Sequence, residues 1–223
     1  MCGRFLLTAS GEALERYFGL EPGTARHSPR YNIAPGQDVP VIAREGEGNA
    51  FFLMHWGFVP RWARNKSPSK RMINARAETI DQKPFFRESF LRRRCLIPAD
   101  GFYEWKRTGR FKQPMCIRLP EGSLFAFAGI WDWNGDPEGS DLFSCCIVTT
   151  AANDFMREIH ERMPVILADR EAQRAWLDPR AQMRELKEIM RPYSGEMIAY
   201  PVSSLVNSPD VDVPECAQRL LFQ

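Results

Sequence analysis

The stretch CLIPADGFYEWKR (residues 95–107) decides the fold class, read together with QPMCIRL (113–119), LFAFAGIW (124–131) and LFSCCIVTTA (142–151). Each is short, rich in aromatic and β-branched residues, and bounded by Gly, Pro, Asn or Asp. That is the pattern of consecutive strands joined by tight turns. Upstream, RYNIAPGQDVPVIA (30–43) sets a Pro-Gly turn before a β-rich run, and AFFLMHWGFVP (50–60) is an apolar strand closed by Pro60. MINARAETI (72–80) alternates and predicts a further strand. Because the strands come in runs with helices inserted at intervals, the expected class is α+β. It has a β-rich core of mostly antiparallel strands, a partial barrel, flanked by short helices.

The helices carry their own signals. SGEALERYFGLEPG (10–23) predicts an amphipathic helix capped by Ser10, with Leu14, Tyr17 and Phe18 inward and an end at Gly19 or Pro22. KPFFRESFLRRR (83–94) has Pro84 at a helix start and a basic finish that suits the helix dipole. NDFMREIHERMP (153–164) predicts a helix capped by Asn153 and stopped before Pro164, with His160 at its C-terminal end; PVIL (164–167) predicts a strand. DREAQRAWL (169–177) and RAQMRELKEIMRP (180–192) read as helical, and MIAYPVSSLV (197–206) as a last strand and loop.

At 223 residues, 44% hydrophobic and 12% aromatic, the chain can build the core of one domain spanning 1–223. It shows no 18-residue apolar run and no leader-like start, so a cytosolic protein with no membrane span is expected. Six cysteines contain no C-x-x-C pair, and three histidines are few, so no metal site is expected. No glycine-rich phosphate loop is present, and no small-molecule cofactor is expected. The net charge is only +2, yet residues 61–94 hold eleven Lys/Arg against three Asp/Glu. This block, which includes the loop RWARNKSPSKR (61–71) with Trp62 embedded, predicts a basic face for nucleic acid.

Three segments and the N-terminus carry chemistry. Cys2 follows Met1 directly. With Met1 removed it bears an α-amine and a thiol on adjacent atoms, with ordinary pKa values of roughly 8 and 8.5. Such a 1,2-aminothiol traps an aldehyde as a thiazolidine; the same atoms also suit an N-terminal nucleophile hydrolase, in which the amine is the base. INARAET (73–79) as a strand puts Asn74, Arg76 and Glu78 on one face, either to hold a phosphate or orient a thiol, or simply as a solvated face. In GFYEWK (101–106), Tyr103 and Trp105 share one face, and Glu104 takes the other with Phe102 and Lys106. Glu104 there is a general acid facing a groove, or an exposed strand residue. His160 in HERMPV (160–165) is an acid/base; His55 reads as a core residue and His27 as a loop residue.

Spacing alone joins none of these. However, MCGRF, RYNIAPG, WGFVPRWA, INARAET, GFYEWK and HERMPV, in this order, resemble the SOS response-associated peptidase (SRAP) family along nearly the whole chain. The resemblance implies a protein that shields abasic sites in single-stranded DNA, including at junctions with duplex, by a covalent DNA–protein crosslink. It implies Cys2 as the crosslinking residue and Asn74 as its orienting partner. Glu104 would assist sugar opening and proton transfers, and His160 would be the acid/base of Schiff-base formation and reversal. It further implies DNA contacts by Arg4, Asn32, Pro35, Trp62, Arg76 and Arg162, with Trp62 and the NIAPG loop stacking or wedging beside the lesion. Removal of its own Met1, a monomeric state, and residence in the cytoplasm, on the nucleoid when DNA-bound, complete the expectation. A passive single-stranded DNA-binding module and an amidohydrolase acting in trans remain the competing readings.

Overall fold

A computed structural model describes residues 2–63, 72–135 and 142–220. The strands are β1 (Phe5–Leu7), β2 (Arg30–Ile33), β3 (Asp38–Glu45), β4 (Gly48–Trp56), β5 (Asn74–Arg76), β6 (Arg94–Ala99), β7 (Gly101–Thr108), β8 (Phe111–Arg118), β9 (Phe125–Asn134), β10 (Leu142–Ala151), β11 (Arg162–Pro164), β12 (Ile166–Leu167) and β13 (Ile198–Pro201). The helices are α1 (Gly11–Phe18), α2 (Pro84–Arg92), α3 (Asp154–Arg157), α4 (Arg170–Leu177) and α5 (Met183–Ile189). No helix among the described residues is long and apolar enough to cross a membrane.

Strands β10, β4, β3, β6 and β9 pair in that order, and β9 pairs back onto β10. The ring therefore closes into a barrel, which removes the exposed edges that an open sheet would leave. Pairing is antiparallel except where β10 runs parallel to β4 and β5. A second sheet, in the order β13-β8-β7-β1-β2, lies over the barrel. Alternation assigns its two faces. Phe5, Leu7, Phe102 and Ile117 join the main core, while Leu6, Tyr103 and Cys116 form a second cluster with Val202, Val206 and Cys216 of the C-terminal segment. At Gly101 the strands pass so closely that a Cβ would sit 2.7 Å from Leu6 Cδ2 and 3.0 Å from Ile117 O. Only glycine fits there.

Local signals in the sequence are realised where they are strong. Ser10 caps α1 by accepting from Ala13 N, and Gly19 ends it in the left-handed region at φ 66°. Asp169 caps α4, which buries Trp176 in the core with its Nε1 donating to Cys95 O at 3.0 Å. Three expectations are corrected. The helix at 153 ends at Arg157, and His160 lies in the turn beyond it, its backbone N–H bonded to Met156 O at 2.8 Å. Residues 162–164 are drawn into strand β11 by antiparallel pairing with 149–151 of β10, and PVIL divides between β11 and β12. The strand at MINARAETI is only Asn74–Arg76, and the chain turns at Ala77.

The C-terminal segment is tied down by Asp212. Its Oδ1 accepts from Tyr31 N at 2.6 Å and Asn32 N at 2.9 Å, and its Oδ2 accepts from Arg30 Nε at 2.8 Å. Replacing Asp212 with alanine orphans two strand amides and releases the segment that covers Tyr103. The expected cost is about 2 kcal/mol, read as a lower urea midpoint at unchanged slope.

Candidate active site and nucleic-acid interface

Strand β10 gathers the site. On one edge it pairs Ile147 with Asn74 and Thr149 with Arg76; on the other it pairs Thr149 with Pro164. This brings INARAET beside HERMP. The N-terminal segment reaches the same place through the second sheet, where Phe5 pairs with Phe102 and Tyr103 N donates to Arg4 O at 2.9 Å. Asn74 Nδ2 then donates to Cys2 O at 2.9 Å, locking the N-terminal residue onto β5. Cys2, Asn74, Glu104 and His160, which come from four separate segments, are thereby brought together.

The electrostatics follow from burial. Cys2 has 0% of its surface exposed. Burial drives its thiol well above the ordinary range, and the Glu104 charge adds to this. The thiol is held neutral. Glu104 is 3% exposed, and burial likewise raises its carboxyl, with the charge of His160 acting in the opposite direction. His160 Nδ1 lies 3.0 Å from Arg162 N and 3.2 Å from Arg162 O. The Arg162 amide donates to Nδ1, so the backbone of β11 orients the imidazole. The Cys2 thiol and the His160 imidazole thus both lie within electrostatic reach of the raised Glu104 carboxyl. Glu104 lies on the face of Phe102, as alternation predicts; however, both faces of β7 are covered at its start, so the carboxyl sits in the protein interior.

The residues expected from sequence to contact DNA divide into two groups. Trp62 is 53% exposed and packs edge-on against Phe85, centroids 5.9 Å apart. Pro35 is half-buried in the turn between β2 and β3, and Arg76 is exposed. Arg4 and Asn32 face inward instead. Asn32 is fully buried: its Oδ1 accepts from Arg4 Nη1 at 3.0 Å, and its Nδ2 donates to Ser208 O and Val211 O. Arg4 Nη1 also donates to Val206 O at 2.8 Å, and burial lowers its guanidinium pKa. The pair braces the C-terminal segment and presents no side chain to a ligand. The basic block is similarly divided. Arg94 is buried with its guanidinium on the carbonyls of Phe90, Leu91, Trp176 and Asp178. Arg93 pairs with Asp132 and Glu88, and Arg64, Lys66, Lys70 and Arg71 lie outside the described residues.

A family model described as SOS response associated peptidase (SRAP) matches residues 1–209. The chain belongs to the SRAP family. Among SRAP relatives, it is 44% identical over 221 residues to the abasic site processing protein YoqW of Bacillus subtilis, covering 96% of this chain and 98% of that protein. It is 34% identical over 224 residues to the abasic site processing protein HMCES of Gallus gallus, covering 86% of this chain and 66% of that protein. A solved structure of a Bacteroides thetaiotaomicron protein superimposes with a TM-score of 0.89 at 27% identity, covering 99% of this chain and 100% of that one.

Two residues that hold the candidate site in place were not singled out from sequence. Thr149 looks like one more core position of LFSCCIVTTA, but its carbonyl accepts from both Ala77 N and Arg162 Nη2. Asp132 accepts from Arg61 N, Ser89 Oγ and Trp133 N and so anchors the start of the Trp62 segment. An acid flanked by Trp131 and Trp133 in a core strand was the available signal, since a buried carboxylate must have partners.

Proposed function

We propose that this SRAP protein captures abasic sites in single-stranded DNA as a covalent thiazolidine on Cys2. The observation that carries the reading is the convergence of Cys2, Asn74, Glu104 and His160 from four segments onto one buried position. Relatives named abasic site processing proteins support the substrate class. An abasic deoxyribose exists as a closed hemiacetal in equilibrium with a C1′ aldehyde. Opening removes a proton from the C1′ hydroxyl and delivers one to the ring oxygen, which suits a carboxyl of raised pKa such as Glu104. The Cys2 amine adds to C1′ and water leaves, with His160 supplying and accepting the protons. The neutral thiol then adds to the same carbon, its proton passing to nitrogen. The net reaction joins protein and DNA with loss of one water.

The amine exists only after Met1 is removed. We assign this step to the same site as a hydrolysis, in which water cleaves the Met1–Cys2 bond and releases methionine. Arg76 and Arg162 contribute sequence-independent phosphate contacts, and Trp62 and the Pro35 turn offer apolar surfaces to the base pair at a junction with duplex. The protein acts as a monomer on DNA in the cytoplasm, at the nucleoid.

Intact mass spectrometry tests the reading. Protein with Cys2 as its first residue, obtained with methionine aminopeptidase where Met1 remains, is incubated with a single-stranded oligonucleotide carrying one abasic site. The expected product has the summed mass minus one water, and none forms with a tetrahydrofuran analogue that lacks the aldehyde. A Met-free protein that forms no adduct overturns covalent capture and leaves a passive DNA-binding module.

A further inference from the structure

Arg162 is read as a phosphate contact, yet its guanidinium is already engaged. Nη1 and Nη2 both donate to the carboxylate of Glu78, the second at 3.0 Å to Oε2. These are the two parallel bonds that a planar fork makes equally to a carboxylate or a phosphate. Nη2 also donates to Thr149 O at 2.7 Å, and the buried Nε has no acceptor among the described residues. The two partners differ in kind. Thr149 O belongs to the main chain of β10, fixed between β5 and β11. Glu78 sits in the turn after β5, its side chain 48% exposed against 14% for Arg162. Its carboxylate is held below the usual range by the Arg162 hydrogen bond first, and by the charges of Arg162 and Arg76 as well. Glu78 therefore lies in the field of both arginines expected to meet the DNA backbone.

We propose that Glu78 is a placeholder for a DNA phosphate, its carboxylate filling the fork of Arg162 until a backbone phosphate displaces it. The proposal rests on the reading that this face binds single-stranded DNA. The Thr149 bond keeps the guanidinium in place through the exchange. Glu78 swings to solvent, as its half-exposed turn position allows. Because one carboxylate leaves for each phosphate that arrives, Glu78 lowers affinity for any strand, whatever its bases. It acts as a positioning residue for Arg162 and touches no reacting atom.

Glu78→Gln tests this by fluorescence anisotropy, with a single-stranded oligonucleotide carrying the tetrahydrofuran analogue and an undamaged one of the same sequence, over a range of salt concentrations. The variant is expected to bind both strands about fivefold more tightly at low salt, the upper range for a partly exposed ion pair. Its plot of log affinity against log salt should keep the parent's slope, because Arg162 meets one phosphate in both proteins. Unchanged affinity, or weaker binding, overturns the placeholder and makes Glu78 a structural brace for Arg162. Absence of binding by both the parent and the variant overturns the DNA reading itself, and the placeholder with it.

Discussion

Replacing Cys2 with alanine is expected to abolish heat-stable covalent capture while leaving reversible binding to an abasic-analogue strand within about twofold, since phosphate contacts dominate nucleic-acid affinity. The separation is possible because the two properties rest on different atoms. In the proposed reaction the reacting carbon meets the Cys2 amine and sulfur, whereas the strand would meet Arg76, Arg162 and the surface around Trp62. Alanine keeps the amine and removes the sulfur, so the imine can still form but cannot close. An open imine hydrolyses on heating, whereas a thiazolidine persists. Cys2 is wholly buried, but only one atom is deleted, so the fold survives with a loss of about 1–2 kcal/mol. Cys2→Ser closes to a less stable oxazolidine and should give an adduct that decays on heating. The measurement is a denaturing gel after heating, beside an anisotropy titration of the same preparation. A heat-stable adduct from Cys2→Ala would sink the mechanism.

Glu104→Gln should slow adduct formation by about 10²–10⁴-fold, the range of one positioned general acid–base, and remove a titration from the pH–rate profile. Burial raises the Glu104 carboxyl, so in the parent it keeps its proton to higher pH than an exposed glutamate. The parent rate should fall as pH rises through that raised value, where the proton donor is lost; the glutamine variant should show a low, flat rate there. Stability gives a second readout with the same sign. The native state holds a proton that the unfolded chain has already released, so the stability contribution is complete below the unfolded pKa and is lost as pH rises through the native one. The melting temperature of the variant should therefore depend less on pH in that interval. Parallel pH–rate curves for the two proteins would remove Glu104 from the proposed proton transfers.

Much of this protein was legible in its residue order. Ser10, Gly19 and Pro84 bound their helices as capping chemistry requires, and the four runs between 95 and 151 form the consecutive strands that their turns imply. Short elements were less legible. Three-residue strands such as Asn74–Arg76 and Arg162–Pro164 hold too few positions to display a period, and β10 supplies the pairing that makes them strands. The His160 segment illustrates this: its helical pattern is overridden beyond Arg157 by a ladder to residues 149–151.

The site divides in the same way. Residue identity supplied the candidate chemistry: Cys2, Glu104, His160 and Asn74 carry a thiol, a carboxyl, an imidazole and an amide wherever the chain places them. Which charged groups remain available to a ligand was decided by tertiary structure alone. Arg4 and Arg94 are spent on carbonyls of Val206, Trp176 and Asp178, and Arg162 is shared between Thr149 and Glu78. An arginine's side chain is equally suited to solvent, to a phosphate or to a buried carbonyl. The choice depends on acceptors that lie 13 to 202 positions away in the sequence and become neighbours only when the barrel closes.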